Sequence, residues 1–327
     1  MSSVPSVMSA ASLAARLRVP VIAAPMFILS GPELVIAQCK AGIVGSFPAL
    51  NARPQSQLDE WLHQIREALA EHDRANPQSP SAPFAVNQIV HRSNDRLEKD
   101  LETCLRHGVR LMITSLGARP DVYEACKAAG TLVLHDVITD RFARKAIEKG
   151  AGGLIAVAAG AGGHAGRQSP FALMQEIRSW YPGPLALAGA IANGRSVLAA
   201  QALGADFAYC GSLFIAAAEA RASEPYKQAV VDATAEDILY TRAITGVHGN
   251  YLRASLVAAG LDPDQIEQQD PPSMDFAAAA TGAKAWKDIW GAGQGVGGVH
   301  AVEPVAVQVA RLADQYGAAR AALAQYP

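Results

Sequence analysis

Short apolar runs recur along the first two thirds of the chain, and a polar or amphipathic segment follows most of them. Most of the runs are apolar throughout, which is typical of parallel strands whose two faces are both covered. There are eight: residues 19–27, 42–47, 83–90, 111–117, 131–137, 153–159, 183–189 and 207–212.

The segments between these runs have the spacing of amphipathic helices, as at 55–74, 94–107, 140–150 and 194–204. In the third, Asp140 can cap the start of the helix and Gly150 can end it. Eight alternations of strand and helix predict an α/β protein with a (β/α)8 (TIM) barrel. A doubly wound open sheet is the alternative, and the count of eight strands disfavours it.

The pattern changes after residue 223, which divides the chain into three parts. We predict that residues 1–223 form the barrel, that 224–290 form a small helical insertion or substrate lid, and that 291–327 return to the barrel. Inside the insertion, 235–244 and 251–259 predict helices, 262–272 predict a polar linker, and no strand is evident. A last helix is predicted over 304–323.

Composition narrows the possible partners. Half of the 327 residues are hydrophobic, which is enough for a sizeable core. The net charge is −2, so the protein as a whole has no strong electrostatic attraction to a nucleic acid or an anionic membrane. The early apolar stretch 19–29 contains a proline and is too short to cross a bilayer. Four cysteines without a CxxC pair argue against a zinc site and favour a reducing cytoplasm.

Active-site groups of a barrel lie at the C-terminal ends of its strands. Few charged residues occupy those positions here, so the pocket suits a planar aromatic cofactor. The candidates are Ala24, Pro25, Met26, Asn87, Asp136, Gly162, Gly163, His164, Ala188, Gly189, Ala190, Gly211 and Ser212.

The sixth run leads into the loop Gly160-Ala-Gly-Gly-His164-Ala-Gly166. Glycines let a backbone approach a flat ligand closely, and a histidine can donate or accept a proton near neutral pH. We therefore interpret the loop as holding a cofactor on one side, with His164 as the proton-transfer group on the other.

The seventh and eighth strand ends carry a candidate phosphate site. Gly189 and Gly211-Ser212 precede helices, where backbone N–H groups and the helix dipole favour an anion. Only one such site is evident, and no GxGxxG follows the first strand. No GxxxxGK[ST], HxH or HExxH occurs either. This combination favours flavin mononucleotide (FMN) over FAD, a Rossmann dinucleotide, a P-loop or a metal.

These residues together resemble the nitronate monooxygenase family, formerly called 2-nitropropane dioxygenases. The resemblance covers nearly the whole chain. It rests on the Ala-Pro-Met26 strand end, Phe84-Ala-Val-Asn87, the Gly-Gly-His164-Ala-Gly loop, 187–194, 203–212 and Gly293-Gln294-Gly295. It implies an FMN-binding barrel with a helical substrate domain and His164 as the catalytic residue. Gln294 and Gly295 are expected to contact the flavin edge or the lid.

Two positions depart from the family pattern. Gly189-Ala190 stands where a Gly-Gly turn is familiar, and Leu213 stands where an Arg commonly follows the eighth strand. Neither change prevents phosphate binding through backbone N–H groups.

The resemblance implies oxidation of alkyl nitronates, or of nitroalkanes, by FMN and O2 to a carbonyl compound and nitrite. His164 would bind the nitro group or remove the α-proton of a neutral nitroalkane. The alternative is an FMN-dependent NAD(P)H:quinone or enoyl reductase, which needs a second nucleotide site. Arg92 and Arg96 follow the third strand, but no dedicated basic cluster is evident. A non-catalytic barrel that binds a phosphorylated metabolite is a third hypothesis.

Three further residues have open roles. Adjacent strand residues face opposite sides, so only one of His135 and Asp136 can face the barrel mouth. We assign Asp136 to the cofactor site and give His135 a structural role. Trp286 and Trp290 could wall the pocket or pack between the insertion and the barrel.

Overall fold

A computed structural model describes residues 6–266 and 288–325, and it has eight parallel strands in one sheet. The strand order is β1-β9-β8-β6-β5-β4-β3-β2, and a parallel bridge between Ile22 and Val44 joins β2 back to β1. The predicted (β/α)8 barrel is therefore confirmed. Its strands are β1 Val21–Ala23, β2 Gly45–Pro48, β3 Phe84–Ile89, β4 Leu111–Ser115, β5 Leu132–Val137, β6 Gly153–Val157, β8 Leu185–Ala188 and β9 Phe207–Cys210.

Helices surround the barrel, and α1 closes its N-terminal end through Leu13, which packs into the interior cluster. The helices up to the insertion are α1 Ala10–Ala14, α2 Pro32–Lys40, α3 Gln57–Ala75, α4 Leu97–Arg106, α5 Pro120–Ala128, α6 Asp140–Glu148, α7 Pro170–Arg178, α8 Gly194–Ala202 and α9 Ser212–Ile215.

The strands read as continuous apolar runs because both of their faces are buried. On β4, Leu111 and Ile113 pack inside the barrel, while Met112 packs in the layer between the strands and the helices. Successive strand residues point to opposite faces, so apolar residues occupy both alternating sets until the polar end of the strand at Thr114 and Ser115.

The helices begin and end close to the predicted positions. One difference is at α6, where the side chain of Thr139, rather than Asp140, accepts the capping hydrogen bond from the amide of Phe142. Gly150 follows the end of this helix with a φ of 100°, as a glycine in the left-handed region commonly does.

The C-terminal segment packs against helices of the barrel. Its helix, α12 (Val305–Leu323), packs against α8 and α2. Gly194 allows this approach, because an added Cβ would lie 2.1 Å from the amide nitrogen of Tyr316.

The insertion differs from the prediction. It contains α10 Glu224–Asp232 and α11 Arg253–Ala258, but also two strands, β10 Ile238–Thr241 and β11 Gly249–Leu252. The helix predicted over 235–244 is wrong, and the one over 251–259 begins only after β11. The strands β10 and β11 form an antiparallel sheet with β7, Gly163–His164. Only the pairing of β11 with β7 joins segments that are far apart in sequence; β10 and β11 form a local hairpin.

Part of the predicted linker over 262–272, and Trp286, lie outside the described residues. Within 6–266 and 288–325, no helix is both long enough and apolar enough to cross a membrane.

Candidate active site

A cavity of about 1150 Å³ lies at the C-terminal ends of the barrel strands. It brings together nearly all of the residues that the sequence nominated for a cofactor and for catalysis. Those that line it are Ala24, Pro25, Met26, Asn87, Asp136, Gly162, Gly163, His164, Ala188, Gly189, Ala190, Gly211, Ser212 and Gly295. Gln294 is the exception: its amide donates to the carbonyl of Gly160 at 2.9 Å, and its side chain is exposed outside the lining.

His164 lies on a two-residue strand that the insertion holds in place. It pairs with Gly249 of β11, and Gly163 pairs with Asn250. The buried Asn250 side chain also donates to the carbonyl of Ala161 at 2.6 Å. The loop that carries His164 is thus fixed from both ends by the neighbouring hairpin.

The ring of His164 is oriented by the insertion as well. Its Nε2 lies 3.3 Å from Thr245 Oγ1, and that hydroxyl donates to the carbonyl of Val247 at 3.1 Å. The Thr245 hydroxyl also lies 3.3 Å from the hydroxyl of Tyr251, so it links the His164 ring to the insertion. Burial lowers the pKa of His164 from 6.5 to about 4, so the imidazole is neutral at pH 7.

The glycines before His164 shape the cavity wall. Gly163 has a φ of 63°, and no atom of the described residues lies within 4 Å of an added Cβ. Gly162 instead packs closely, since an added Cβ would lie 2.9 Å from the amide nitrogen of Gly293. The Gly293 amide donates to Ser212 Oγ at 2.8 Å. Gly293 therefore lies between the histidine loop and the start of α9.

The seventh strand end supplies less of a phosphate site than the sequence suggested. The N terminus of α8 is capped by the side chain of Asn193, and the amide of Gly194 donates to Gln315 Oε1 at 3.0 Å. The amide of Ala190 is bonded to the carbonyl of Gly160 at 3.3 Å. The start of α8 is therefore not available to a phosphate.

Gly189 packs tightly against the protein, whereas Gly211 leaves space beside the cavity. Gly189 has a φ of 143°, and a Cβ there would lie 2.7 Å from the carbonyl oxygen of Ala159. Gly211 precedes α9, and its only close neighbour for an added Cβ is that of Ala24 at 3.4 Å. The first amides of a helix have no partner within the helix, so the start of α9 presents N–H donors.

Three non-glycine residues near the mouth have positive φ: Ile28 at 68°, Leu116 at 65° and Ala190 at 54°. Such residues are uncommon, and they cluster at ligand sites. Asn51 holds the first of these loops, since its side chain accepts from the amide of Ile28 at 2.9 Å and donates to the carbonyl of Met26 at 3.0 Å. Sequence reasoning missed Asn51, because no motif singled it out.

The adjacent residues His135 and Asp136 face opposite sides of β5. His135 Nδ1 lies 2.8 Å from Thr114 Oγ1 and 3.1 Å from the hydroxyl of Tyr123 on α5. Asp136 is bonded by Ser115 and by the backbone of Leu116 at the mouth of the barrel. Burial raises its pKa to about 6, while burial and Lys149 lower the pKa of His135 to about 4.

The insertion contributes cavity residues that the sequence did not single out. Tyr240 donates to the carbonyl of Ala165 at 2.9 Å, and its ring stacks on His248 with centroids 5.1 Å apart. The guanidinium of Arg167 lies 5.5 Å from the Tyr240 ring centroid. The aromatic and β-branched run Ile238–Thr241 was the available signal, because such residues favour strands.

Trp290 stacks on Tyr226, with ring centroids 4.9 Å apart, and Tyr226 lines the cavity. The hydroxyl of Tyr226 donates to the carbonyl of Gly291 at 2.5 Å. Trp290 therefore supports the cavity wall through its partner.

Comparison with known proteins agrees with this geometry. Residues 9–262 match the family model described as nitronate monooxygenase. A nitronate monooxygenase of Paraburkholderia phytofirmans is 28% identical over 314 residues, which are 81% of this chain and 82% of that protein. A Mycobacterium tuberculosis protein named as a monooxygenase is 30% identical over 192 residues, 58% of this chain, and the match spans 50% of its length.

The fold comparison points the same way. The crystal structure of a nitroalkane oxidase from Streptomyces ansochromogenes superposes with a TM-score of 0.79 and 25% identity, covering 96% of this chain and all of that one. Because the family model matches residues 9–262, which are most of this chain, the chain belongs to the nitronate monooxygenase family and is an oxidoreductase.

Proposed function

We propose that this protein oxidises alkyl nitronates with O2 at a bound FMN, giving a carbonyl compound and nitrite. The observation that carries the proposal is the position of His164, held on β7 at the barrel mouth beside the open space at Gly163. Membership of the family supports the same reaction class. Neutral nitroalkanes are a second substrate, which must first lose the α-proton.

The residues at the mouth fit a flavin. Ala24, Pro25, Met26 and Ala188 offer an apolar wall, and the open space at Gly163 leaves room for a flat ring. Backbone donors at Gly189 and at Gly211-Ser212 would hold the phosphate, with Asn87 and Asp136 as polar partners of the ring. When bound, FMN supplies the capacity to take electrons from the substrate and to pass them to O2.

His164 would act through its neutral imidazole. In a neutral imidazole one of the two ring nitrogens carries no hydrogen, and that nitrogen is able to accept a proton. For a neutral nitroalkane, His164 would take the α-proton. For a preformed nitronate, which has already lost that proton, its contribution is to bind and orient the nitro group.

The insertion 224–290 would wall the substrate pocket. Its residues Tyr226, Tyr240 and His248 line the cavity, and its hairpin holds the His164 loop. We place the protein in the cytoplasm, because its four cysteines are free and buried, as suits a reducing compartment.

Two measurements test the function. Mass spectrometry of the cofactor released from the purified protein should find FMN, and finding FAD would contradict the single phosphate site. Anaerobic mixing with an alkyl nitronate should bleach the flavin absorbance, whereas mixing with NADH should not. Rapid reduction by NADH alone would instead establish the reductase alternative, and a protein that takes up no flavin would favour a metabolite-binding barrel.

A further inference from the structure

The lining of the cavity is far more basic than the protein as a whole. The chain carries a net charge of −2, yet the described lining has seven Lys or Arg against two Asp. The acids are Asp95 and Asp136. The cations are Arg53, Arg92, Arg96, Arg119, Lys145, Lys149 and Arg167. None of these cations follows β8 or β9 in the sequence, where the cofactor phosphate is proposed.

Some of this charge is already compensated. Arg96 pairs with Asp100 at 3.1 Å, and Arg119 pairs with Asp121 at 2.5 Å. In the part of the chain that the structure describes, Arg92, Lys145 and Lys149 make no ion pair with a carboxylate. Lys149 Nζ donates instead to the carbonyl of Ala118 at 2.9 Å. The positive charge of these three cations is therefore not neutralised by a carboxylate of the described residues.

The helix α6 places two of them on one face. Phe142, Lys145 and Lys149 follow one another at intervals of three and four residues, a spacing that brings side chains together on a helix surface. All three line the cavity. The acid of the first turn is directed elsewhere, because Asp140 pairs with Arg144 at 2.8 Å and accepts from Trp180 Nε1 at 2.6 Å.

Apolar groups lie beside these cations. Phe142 is 41% exposed and Ile138 is 39% exposed, and both line the cavity. An aromatic face next to several cations is suited to a ligand that combines a planar base with phosphates. The base stacks on the ring, and the phosphates accept charge-assisted hydrogen bonds.

We propose that the basic flank, formed by Arg92, Phe142, Lys145 and Lys149, binds the adenosine diphosphate portion of a second ligand. That portion is common to coenzyme A thioesters and nicotinamide dinucleotides. A cavity of about 1150 Å³ exceeds the roughly 300–1,000 Å³ of an ordinary ligand pocket, so a cofactor and a second ligand both have room. Binding at this site does not depend on nitronate oxidation, so the binding proposal and the proposed function can be tested independently.

Binding is tested by calorimetry on the purified protein, with ADP, coenzyme A, NADH, NADPH and inorganic pyrophosphate as probes. The double variant Lys145→Gln/Lys149→Gln should weaken ADP binding about tenfold or more, as expected when a charge-assisted contact is lost. Phe142→Ala should weaken ADP more than pyrophosphate. The matched control is Lys40→Gln/Lys127→Gln, which removes two exposed charges outside the cavity lining.

The larger probes identify the source of the nucleotide. Coenzyme A binding more tightly than ADP assigns a thioester, and NADH or NADPH binding more tightly assigns a dinucleotide. Failure of all the nucleotides to bind would overturn the proposal, as would pyrophosphate binding as tightly as ADP or an equal loss in the control pair. The flavin absorbance of each variant is recorded alongside, and it should not change, because the basic flank is separate from the proposed cofactor site.

Discussion

His164 joins two properties that acid–base chemistry needs: a place at the barrel mouth and a pKa that keeps its ring neutral at pH 7. His164→Ala should still fold. Its turnover of a neutral nitroalkane should fall by about 10²–10⁴, the usual loss when a general base is removed. Turnover of a preformed nitronate should fall less, because that substrate needs no deprotonation. Steady-state kinetics on both substrates measure the difference.

The control for this variant is His300→Ala, at an exposed histidine outside the cavity lining, which should leave both rates unchanged. Equal losses on the two substrates would assign His164 to binding rather than proton transfer. Unchanged rates on both would remove it from the chemistry.

Substitutions at Gly211 test the proposed phosphate position. Gly211→Asp places a carboxylate at the start of α9, where it would repel a phosphate, so the purified protein should lose its flavin absorbance. Gly211→Ala is the matched control. Its Cβ would sit 3.4 Å from that of Ala24, an ordinary contact, and it should keep the flavin. Full flavin content in the aspartate variant would show that the phosphate binds elsewhere.

At the scale of elements, the hairpin β10–β11 is what gives the His164 loop its shape. The loop has little regular structure of its own, only the two residues of β7, and Asn250 ties it to β11 through the carbonyl of Ala161. Loops with few such ties open readily, and they exchange their amide hydrogens quickly.

Asn250→Ala should therefore loosen this loop. It leaves the carbonyl of Ala161 without its buried partner, which costs about 1–3 kcal/mol. Hydrogen exchange followed by mass spectrometry should show peptides covering 160–166 exchanging about tenfold faster or more. Asn76→Ala removes a comparable amide-to-carbonyl bond on the surface, to His72, and should leave these peptides unaffected. Unchanged exchange in the Asn250 variant would show that β-pairing alone holds the loop.

At the scale of the whole molecule, stability depends on the buried carboxyl of Asp136. Its pKa is about 6 in the folded protein, against 3.8 for an ordinary aspartate. Between these values the folded state binds more protons than the unfolded state, so this group lowers the stability as pH rises from about 4 to 6. Above pH 6 the destabilisation is constant.

Asp136→Asn removes this charge with little change of shape. Urea unfolding should find the variant more stable than the wild type at pH 8, with the difference shrinking towards zero as pH falls to about 4. Asp232→Asn, at an exposed helix residue bonded to Gln228, is the control and should show no such pH-dependent gain. A gain at Asp136 that is independent of pH would mean that the carboxyl is not the source.

The sequence by itself determined the barrel. Its eight strands are buried on both faces, so they leave largely apolar runs, and glycines such as Gly150 and Gly204 mark where helices end. The same signals located Gly162, Gly163, His164, Gly189 and Gly211 at strand ends, because in a parallel barrel the end of every strand lies on one rim.

Only the tertiary structure showed how the strands of the insertion pair and which charged residues line the cavity. The pairing of β11 with β7 joins His164 to Gly249, and the capping of α8 joins Gly194 to Gln315. Arg92 follows β3, whereas Lys145 and Lys149 belong to the α6 segment after β5, and all three line the cavity. Such contacts span tens of residues or more and leave no local periodicity, since they depend on where whole elements pack rather than on the order of neighbouring residues.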